Sequence, residues 1–312
     1  MWLLQVVFLL AMWACLTDVA QTEGSLLQSI ASSMAAQRSR RMVGGILAPH
    51  VPWQVMVLLS DSVLDGGHTG GTLIADRWVL TAGRNLFAKK RRQDNLGKSP
   101  AIPKVYVGIT EQAEMNTTTE AEVDKVFLHP GFQNKSDWDN DLALIQLKEP
   151  VIVGERVTPL PLPERGQDLA DTEGTLGAIS GWGFGAYFTS AKSLKHLVVP
   201  VVSQASCTKE FEHLCPTAPV VDNNTFCTGS TIYSENVCIG DAGGAFAVKD
   251  PNTGTVYAAG ILSYDQPCRV HKFAVFMKLS SYLSWIHSVI RGDTESSFAV
   301  RSNAMAQMLK SL

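Results

Sequence analysis

Gly240-Asp241-Ala242-Gly243-Gly244 frames its central side chain with glycines, as a chain does when it presents a nucleophile, yet the framed residue is an alanine. Ala242 has no oxygen, so no acyl-enzyme can form on it. A second stretch, Trp78-Val79-Leu80-Thr81-Ala82-Gly83-Arg84-Asn85, ends an apolar run on Arg84. A guanidinium stays protonated at physiological pH and has no acceptor lone pair, so Arg84 cannot serve as a general base. A third, Asp139-Asn140-Asp141-Leu142-Ala143-Leu144-Ile145, supplies a carboxylate at Asp141. An arginine and a carboxylate suit an ion pair better than acid–base chemistry. The seven histidines (50, 68, 129, 196, 213, 271 and 287) show no tight pairing of the metal-binding kind, and there is no glycine-rich phosphate cradle. Neither a metal nor a cofactor is expected.

The elements that must position these residues are mostly strands. Between Met42 and Arg291 short β-type runs are separated by Gly, Pro, Asn and Asp: Trp53–Leu59, Gly71–Leu80, Val105–Gly108, Val123–Leu128, Leu142–Leu147, Lys195–Val202, Val256–Ser263 and Phe273–Lys278. Several alternate apolar and polar residues, which predicts half-buried strands in an antiparallel sandwich or barrel. Only Ser280–Ile290 changes period. Its Leu283, Ile286 and Ile290 share one face, which predicts a helix with a serine cap. Residues 292–312 form a tail, expected either as a short helix from Ala299 onward or without regular structure.

Together these stretches resemble the chymotrypsin-like serine proteases. The loop at 240–244 is similar to the family's Gly-Asp-Ser-Gly-Gly, the segment at 81–85 to Thr-Ala-Ala-His-Cys, and the Asp141 stretch to Asp-Ile-Ala-Leu. Met42-Val43-Gly44-Gly45 resembles the Ile-Val-Gly-Gly start of an activated protease. Pro52-Trp53-Gln54 and Ser180-Gly181-Trp182-Gly183 are further landmarks. The resemblance spans Met42 to Arg291 and implies an all-β fold: a double six-stranded antiparallel β-barrel with a C-terminal helix. Of the triad slots, Ala242 takes the serine's and Arg84 the histidine's, and only Asp141 survives. Two unrelated substitutions imply a natural pseudoenzyme with no catalytic residues.

Several assignments come with the resemblance. Cleavage at Arg41–Met42 would free an α-amino group to pair with Asp241. The amides of Gly240 and Ala242 would form a nest like an oxyanion hole. Asn236 falls at the base of the former specificity pocket, and Asp265 falls where the substrate-binding strand usually has glycine. The implied disulfides are Cys207–Cys227 and Cys238–Cys268, with Cys215 left over and exchange within Cys207, Cys215 and Cys227 open. Two common family disulfides are lost as whole pairs, Thr69 with Asn85 and Gly177 with Val248.

Gly240–Val248, Tyr257–Tyr264, Val105–Gly108 and Arg84-Asn85-Leu86-Phe87 are similar to a non-catalytic plasma branch of the family that captures free haemoglobin. Haemoglobin is therefore the implied partner, with a clearance receptor as a further one. Mammalian members of that branch carry complement-control modules and a linking cysteine. Here residues 21–41 hold neither, and Thr158-Pro159-Leu160-Pro161-Leu162-Pro163 has proline at the linking position. That resembles a fish-type short form. An interface needs solvent-facing aromatic anchors, and Phe184, Tyr187 and Phe188 in the loop after Trp182 are the candidates. Two alternatives stand beside this reading: another pseudoprotease ligand, growth-factor-like or innate-immune, and a hydrolase with a relocated triad.

The apolar block Trp2–Leu16 followed by Thr17–Ala20 predicts a signal peptide over 1–20, hence secretion to the extracellular space and plasma. Residues 21–41 then form a short pro-segment ending Arg38-Ser39-Arg40-Arg41. Glycosylation is expected at the sequons of Asn116, Asn134 and Asn223. A formal net charge of −3 gives no electrostatic case for nucleic acid or an anionic membrane.

Overall fold

The computed structural model describes residues 46–48, 50–60, 67–87, 100–132, 139–185, 190–212, 218–231, 235–265, 268, 272–292 and 299–301. The segments expected as signal peptide and pro-segment, with Arg41 and Met42, lie outside them.

Two antiparallel sheets carry the fold. The first is built from β2 (Gln54–Leu58), β3 (His68–Ala75), β4 (Trp78–Thr81), β5 (Lys104–Val107), β6 (Glu120–Ala121), β7 (Val123–Leu128), β8 (Ala143–Leu147) and β15 (Ala299–Arg301). Its strand order is β15-β7-β8-β4-β3-β2-β5-β6, a curled half-barrel. The second contains β1 (Ile46–Leu47), β9 (Leu176–Gly181), β10 (Lys195–Val202), β11 (Thr225–Thr228), β12 (Ala245–Lys249), β13 (Val256–Tyr264) and β14 (Ala274–Lys278). There β9 pairs back onto β10 over six residue pairs from Lys195↔Gly181 to Pro200↔Leu176, closing a six-stranded barrel. This is the chymotrypsin-like arrangement that the sequence implies, with one barrel closed and the other curled.

Each sheet encloses its own apolar core. Val55, Val57, Leu73, Val79, Val126 and Ile145 fill the first. Phe226, Phe246 and Phe276 dominate the second, where the Phe226 and Phe276 rings stack at 5.1 Å. A further cluster joins the two: Ile74, Trp78, Leu80 and Leu144 meet Ala245, Ala258, Ile261 and Met277. Burying such side chains is worth about 1.5–3 kcal/mol each, enough to hold the sheets together along the seam where the candidate site lies.

Helix α1 (Gln204–Phe211) carries Ser203 as its N-cap, accepting from the Ser206 amide. Helix α2 (Leu279–Arg291) follows β14. It starts straight from β14 with Lys278 as an N-cap that lends no side chain, so the expected serine cap is absent. Buried Leu279 pulls the first turn inward, and the serines at 280 and 281 fall inside the helix. Its buried face is Leu279, Tyr282, Ile286 and Val289, leaving Leu283 and Ile290 only half-buried. Gly292, at φ 76°, ends it in the left-handed cap that glycine favours.

Two other details differ from expectation. Gly71–Leu80 is a hairpin rather than one strand, turning at Asp76-Arg77 between β3 and β4. The tail adds β15 to the edge of β7, Val300 opposite Val126, rather than a helix from Ala299. An unpaired strand edge offers backbone groups that helix would leave unmet.

Candidate functional site

The site is assembled from four segments at the seam. The end of β4 runs through Ala82 into a single 3₁₀ turn, Gly83–Leu86, that presents Arg84. The loop before β8 presents Asp141. Its predecessor Asn140 sits at φ 48°, a conformation asparagine tolerates better than most residues, and accepts a hydrogen bond from the Tyr282 hydroxyl of α2. The end of β13 supplies Ser263 and Asp265, and the loop before β12 supplies Gly240–Gly244.

Asp141 is fully buried. Its Oδ1 accepts the Arg84 amide at 2.7 Å. Its Oδ2 accepts the Ser263 hydroxyl at 2.6 Å and lies 3.2 Å from Arg84 Nε. Burial pushes this carboxyl up, against the pull of the Arg84 charge, the Ser263 hydroxyl and the Arg84 amide. The second arm of the guanidinium pairs with Asp265 Oδ1 at 2.9 Å and also donates to the Ser263 carbonyl. Arg84 is thus clamped between two carboxylates, where sequence reasoning pairs it with Asp141 alone.

Asp265 goes further. Its Oδ2 accepts both the Gly240 amide, at 2.9 Å, and the Ala242 amide, at 3.2 Å. The expected nest is there, and the chain's own carboxylate sits in it. The signal was the acidic residue in a glycine slot; what could not be read was where its side chain points.

Asp241 faces the other way and is fully buried. It accepts the amides of Gly183 at 2.8 Å and Cys238 at 2.9 Å. Burial pushes its carboxyl up to about 7 while the two amides pull it down. A Cβ on Gly183 would lie 2.4 Å from the Asp241 carboxyl carbon, so this close approach requires glycine. The α-amino group of Met42 lies outside the described residues.

Hydrogen bonds stand where the family places a cross-link between positions 69 and 85. Asn85 Nδ2 donates to Thr69 Oγ1 at 2.7 Å and to the Ala242 carbonyl at 3.1 Å, which also accepts Thr69 Oγ1 at 2.6 Å. At the other lost pair, the Phe246 ring packs so closely on Gly177 that a Cβ would meet it at 2.3 Å. Buried Asn236 donates to the Lys272 carbonyl and accepts the Val237 amide. It brings no charge to the former pocket.

The remaining predicted residues lie apart from this network. Disulfides link Cys207 to Cys227, and Cys238 to Cys268, while Cys215 lies outside the described residues. Phe184 is half-buried, with its amide on the Ile239 carbonyl. Tyr187 and Phe188 lie outside the described residues, as does Asn134. Asn116 and Asn223 are exposed. Among the described residues no three His, Cys, Asp or Glu side chains gather as metal ligands.

Chemically, the network joins two ion pairs to hydrogen bonds from backbone amides and the Ser263 hydroxyl. The Ser263 hydroxyl is committed to Asp141, and among the described residues no imidazole joins the network. Such a site can bind or brace.

The comparisons agree with this geometry. The trypsin family model matches residues 43–286. Haptoglobin of Canis lupus familiaris is 34% identical over 267 residues, covering 81% of this chain and 75% of that protein. Haptoglobin of Mesocricetus auratus and haptoglobin-related protein of Homo sapiens are each 34% identical over 264 residues, covering 80% of this chain and 70% of theirs. The chain therefore belongs to the trypsin family, on its haptoglobin branch.

Proposed function

We propose that the chain is a secreted, non-proteolytic serine-protease homologue that captures free haemoglobin in plasma. Ala242 stands for the nucleophilic serine and Arg84 for the general-base histidine, so peptide hydrolysis is lost while the scaffold is kept. The observation that carries this reading is the Asp141–Arg84–Asp265 network, in which one guanidinium pairs with two carboxylates at the former triad. A scaffold that has lost its chemistry is retained for what it binds, and the likeness to haptoglobins points to haemoglobin. Size-exclusion of the purified protein with oxygenated haemoglobin at low micromolar concentration tests it. Haem absorbance moves to a larger, salt-resistant species; haemoglobin eluting unshifted beside folded protein defeats the reading.

The anchors assigned to this contact are Phe184, Tyr187 and Phe188. The Phe184 amide bonds to the carbonyl of Ile239, itself 42% exposed. Alanine at Tyr187 and Phe188 together weakens haemoglobin binding by about 2 kcal/mol or more, roughly thirtyfold in Kd by titration calorimetry. Unchanged affinity removes the loop from the interface. Glycans are assigned to Asn116, Asn134 and Asn223, and a clearance receptor to the complex.

Cleavage after Arg41 supplies a cation to Asp241, whose hydrogen-bond donors among the described residues are the amides of Gly183 and Cys238. In the uncut chain the folded carboxyl holds its proton to about pH 7, whereas an unfolded one releases it near 3.8. The folded state therefore binds the extra proton between those values, and stability falls as pH rises through that window, by about 4 kcal/mol at most. Pairing with the Met42 amino group pulls the carboxyl back down and removes the fall. Urea midpoints at pH 4.5 and 7.5 are expected to separate for uncut protein and to converge after cleavage; parallel behaviour of the two forms would place the amino group elsewhere.

A further inference from the structure

Two amides converging on one oxygen at about 3 Å is the geometry that stabilises the oxyanion of an acyl-transfer intermediate. Here Gly240 N and Ala242 N make that convergence on Asp265 Oδ2. An extended peptide lying along the end of β13 would also need a backbone acceptor there, and the Ser263 carbonyl already takes Arg84. Asp265 itself is buried, and its other oxygen is held by the same guanidinium. One side-chain pair thus fills the amide pocket and the neighbouring acceptor together.

We infer that the Gly240 and Ala242 amides form a carboxylate-binding site whose resident ligand is the tethered carboxylate of Asp265, held there by the two amides themselves. Asp265 is then a third block on acyl-transfer chemistry, independent of the missing nucleophile and the missing base. Three consequences follow from the geometry. Restoring the nucleophile and base alone leaves the pocket plugged. Emptying the pocket exposes a site for small external carboxylates. The pocket, once emptied, keeps its shape, because Gly243 N is fixed on the Leu262 carbonyl and Gly70 N on the Ala242 carbonyl.

The test compares Arg84→His/Ala242→Ser with Arg84→His/Ala242→Ser/Asp265→Gly in the purified full chain, using a fluorophosphonate probe. The introduced hydroxyl forms the O–P bond, its proton passes to the introduced imidazole, and the P–F bond breaks to release fluoride. The phosphoryl oxygen requires the amide pocket. The triple variant is expected to label about 10²–10³-fold faster than the double variant, the range seen when such donors are lost. Placing Asp265→Asn in the double background keeps the plug's shape and leaves labelling slow. Equal labelling of double and triple variants, at any rate including zero, overturns the inference, as does fast labelling with the asparagine.

A second measurement needs no restored chemistry. In Asp265→Gly alone, acetate raises the melting temperature by several degrees, chloride at matched ionic strength does not, and the unaltered chain responds to neither. A rise that is equal for acetate and chloride, or no rise, also overturns it.

Discussion

Arg84→Met is expected to destabilise the fold by about 3 kcal/mol at neutral pH. The loss comes from what remains rather than from the pair itself. Asp141 has no exposed surface and Asp265 is 5% exposed at its side chain, so removing the guanidinium strands two carboxylates out of water. A buried ion pair is weak support for stability against an apolar replacement, but breaking one side of it is costly. Asp141→Asn in the same background recovers part of the loss, and a double-mutant cycle gives a coupling above about 1 kcal/mol. Lys148→Met, which breaks an exposed pair with Glu122, makes no measurable difference. Guanidinium denaturation distinguishes these outcomes; an Arg84→Met protein as stable as its parent would mean that the guanidinium is not needed to hold the two carboxyls in place.

Gly243→Ala has the other large effect, expected above about 3 kcal/mol. Gly243 sits at φ 91°, where an L side chain costs about 1–2 kcal/mol. The larger part is space. The added Cβ falls 2.1 Å from the Gly70 carbonyl oxygen and 2.4 Å from Thr81 Oγ1, both on strands of the first sheet. Strand β3 and the 240–244 loop cannot separate without losing the hydrogen bonds from Gly70 N and Thr69 Oγ1 to the Ala242 carbonyl. Gly166→Ala isolates the conformational share, since φ is 88° there and nothing lies within 4 Å of the new methyl. It is expected to cost about 1 kcal/mol. Similar melting temperatures for the two variants would show that the seam yields.

Much of the architecture was legible in period-two alternation: Lys195–Val202 and Val123–Leu128 are strands over the residues expected. Where the pattern misled, the cause was local. Ala75-Asp76-Arg77-Trp78 turns without glycine, proline or asparagine, so the hairpin in Gly71–Leu80 gave no punctuation. Helix α1 buries only Cys207 and Phe211, too few apolar residues to print a helical period. The α2 face was misplaced because Tyr282 counts as a core residue only once Asn140 and His129 are seen around it. The site was legible as a set of slots and illegible as a network. Arg84, Asp141 and Asp265 are far apart in sequence, and only the meeting of two sheets shows that one guanidinium serves both carboxylates.

The covalent bracing of the described fold is one-sided. Both disulfides lie between Cys207 and Cys268, one joining α1 to β11 and the other joining the loops before β12 and after β13, and the sequence has no cysteine from Leu16 to Ser206. A thiol reductant therefore loosens the closed barrel and finds nothing to cut in the curled one. Near that seam the segment carrying Arg84 is tied by Asn85 and Thr69 to the Ala242 carbonyl, a tether without redox chemistry. Amide hydrogen exchange under mild reduction would consequently speed up along β10–β14 while β2–β8 keep their protection, so that redox stress divides the molecule along a line that heat does not.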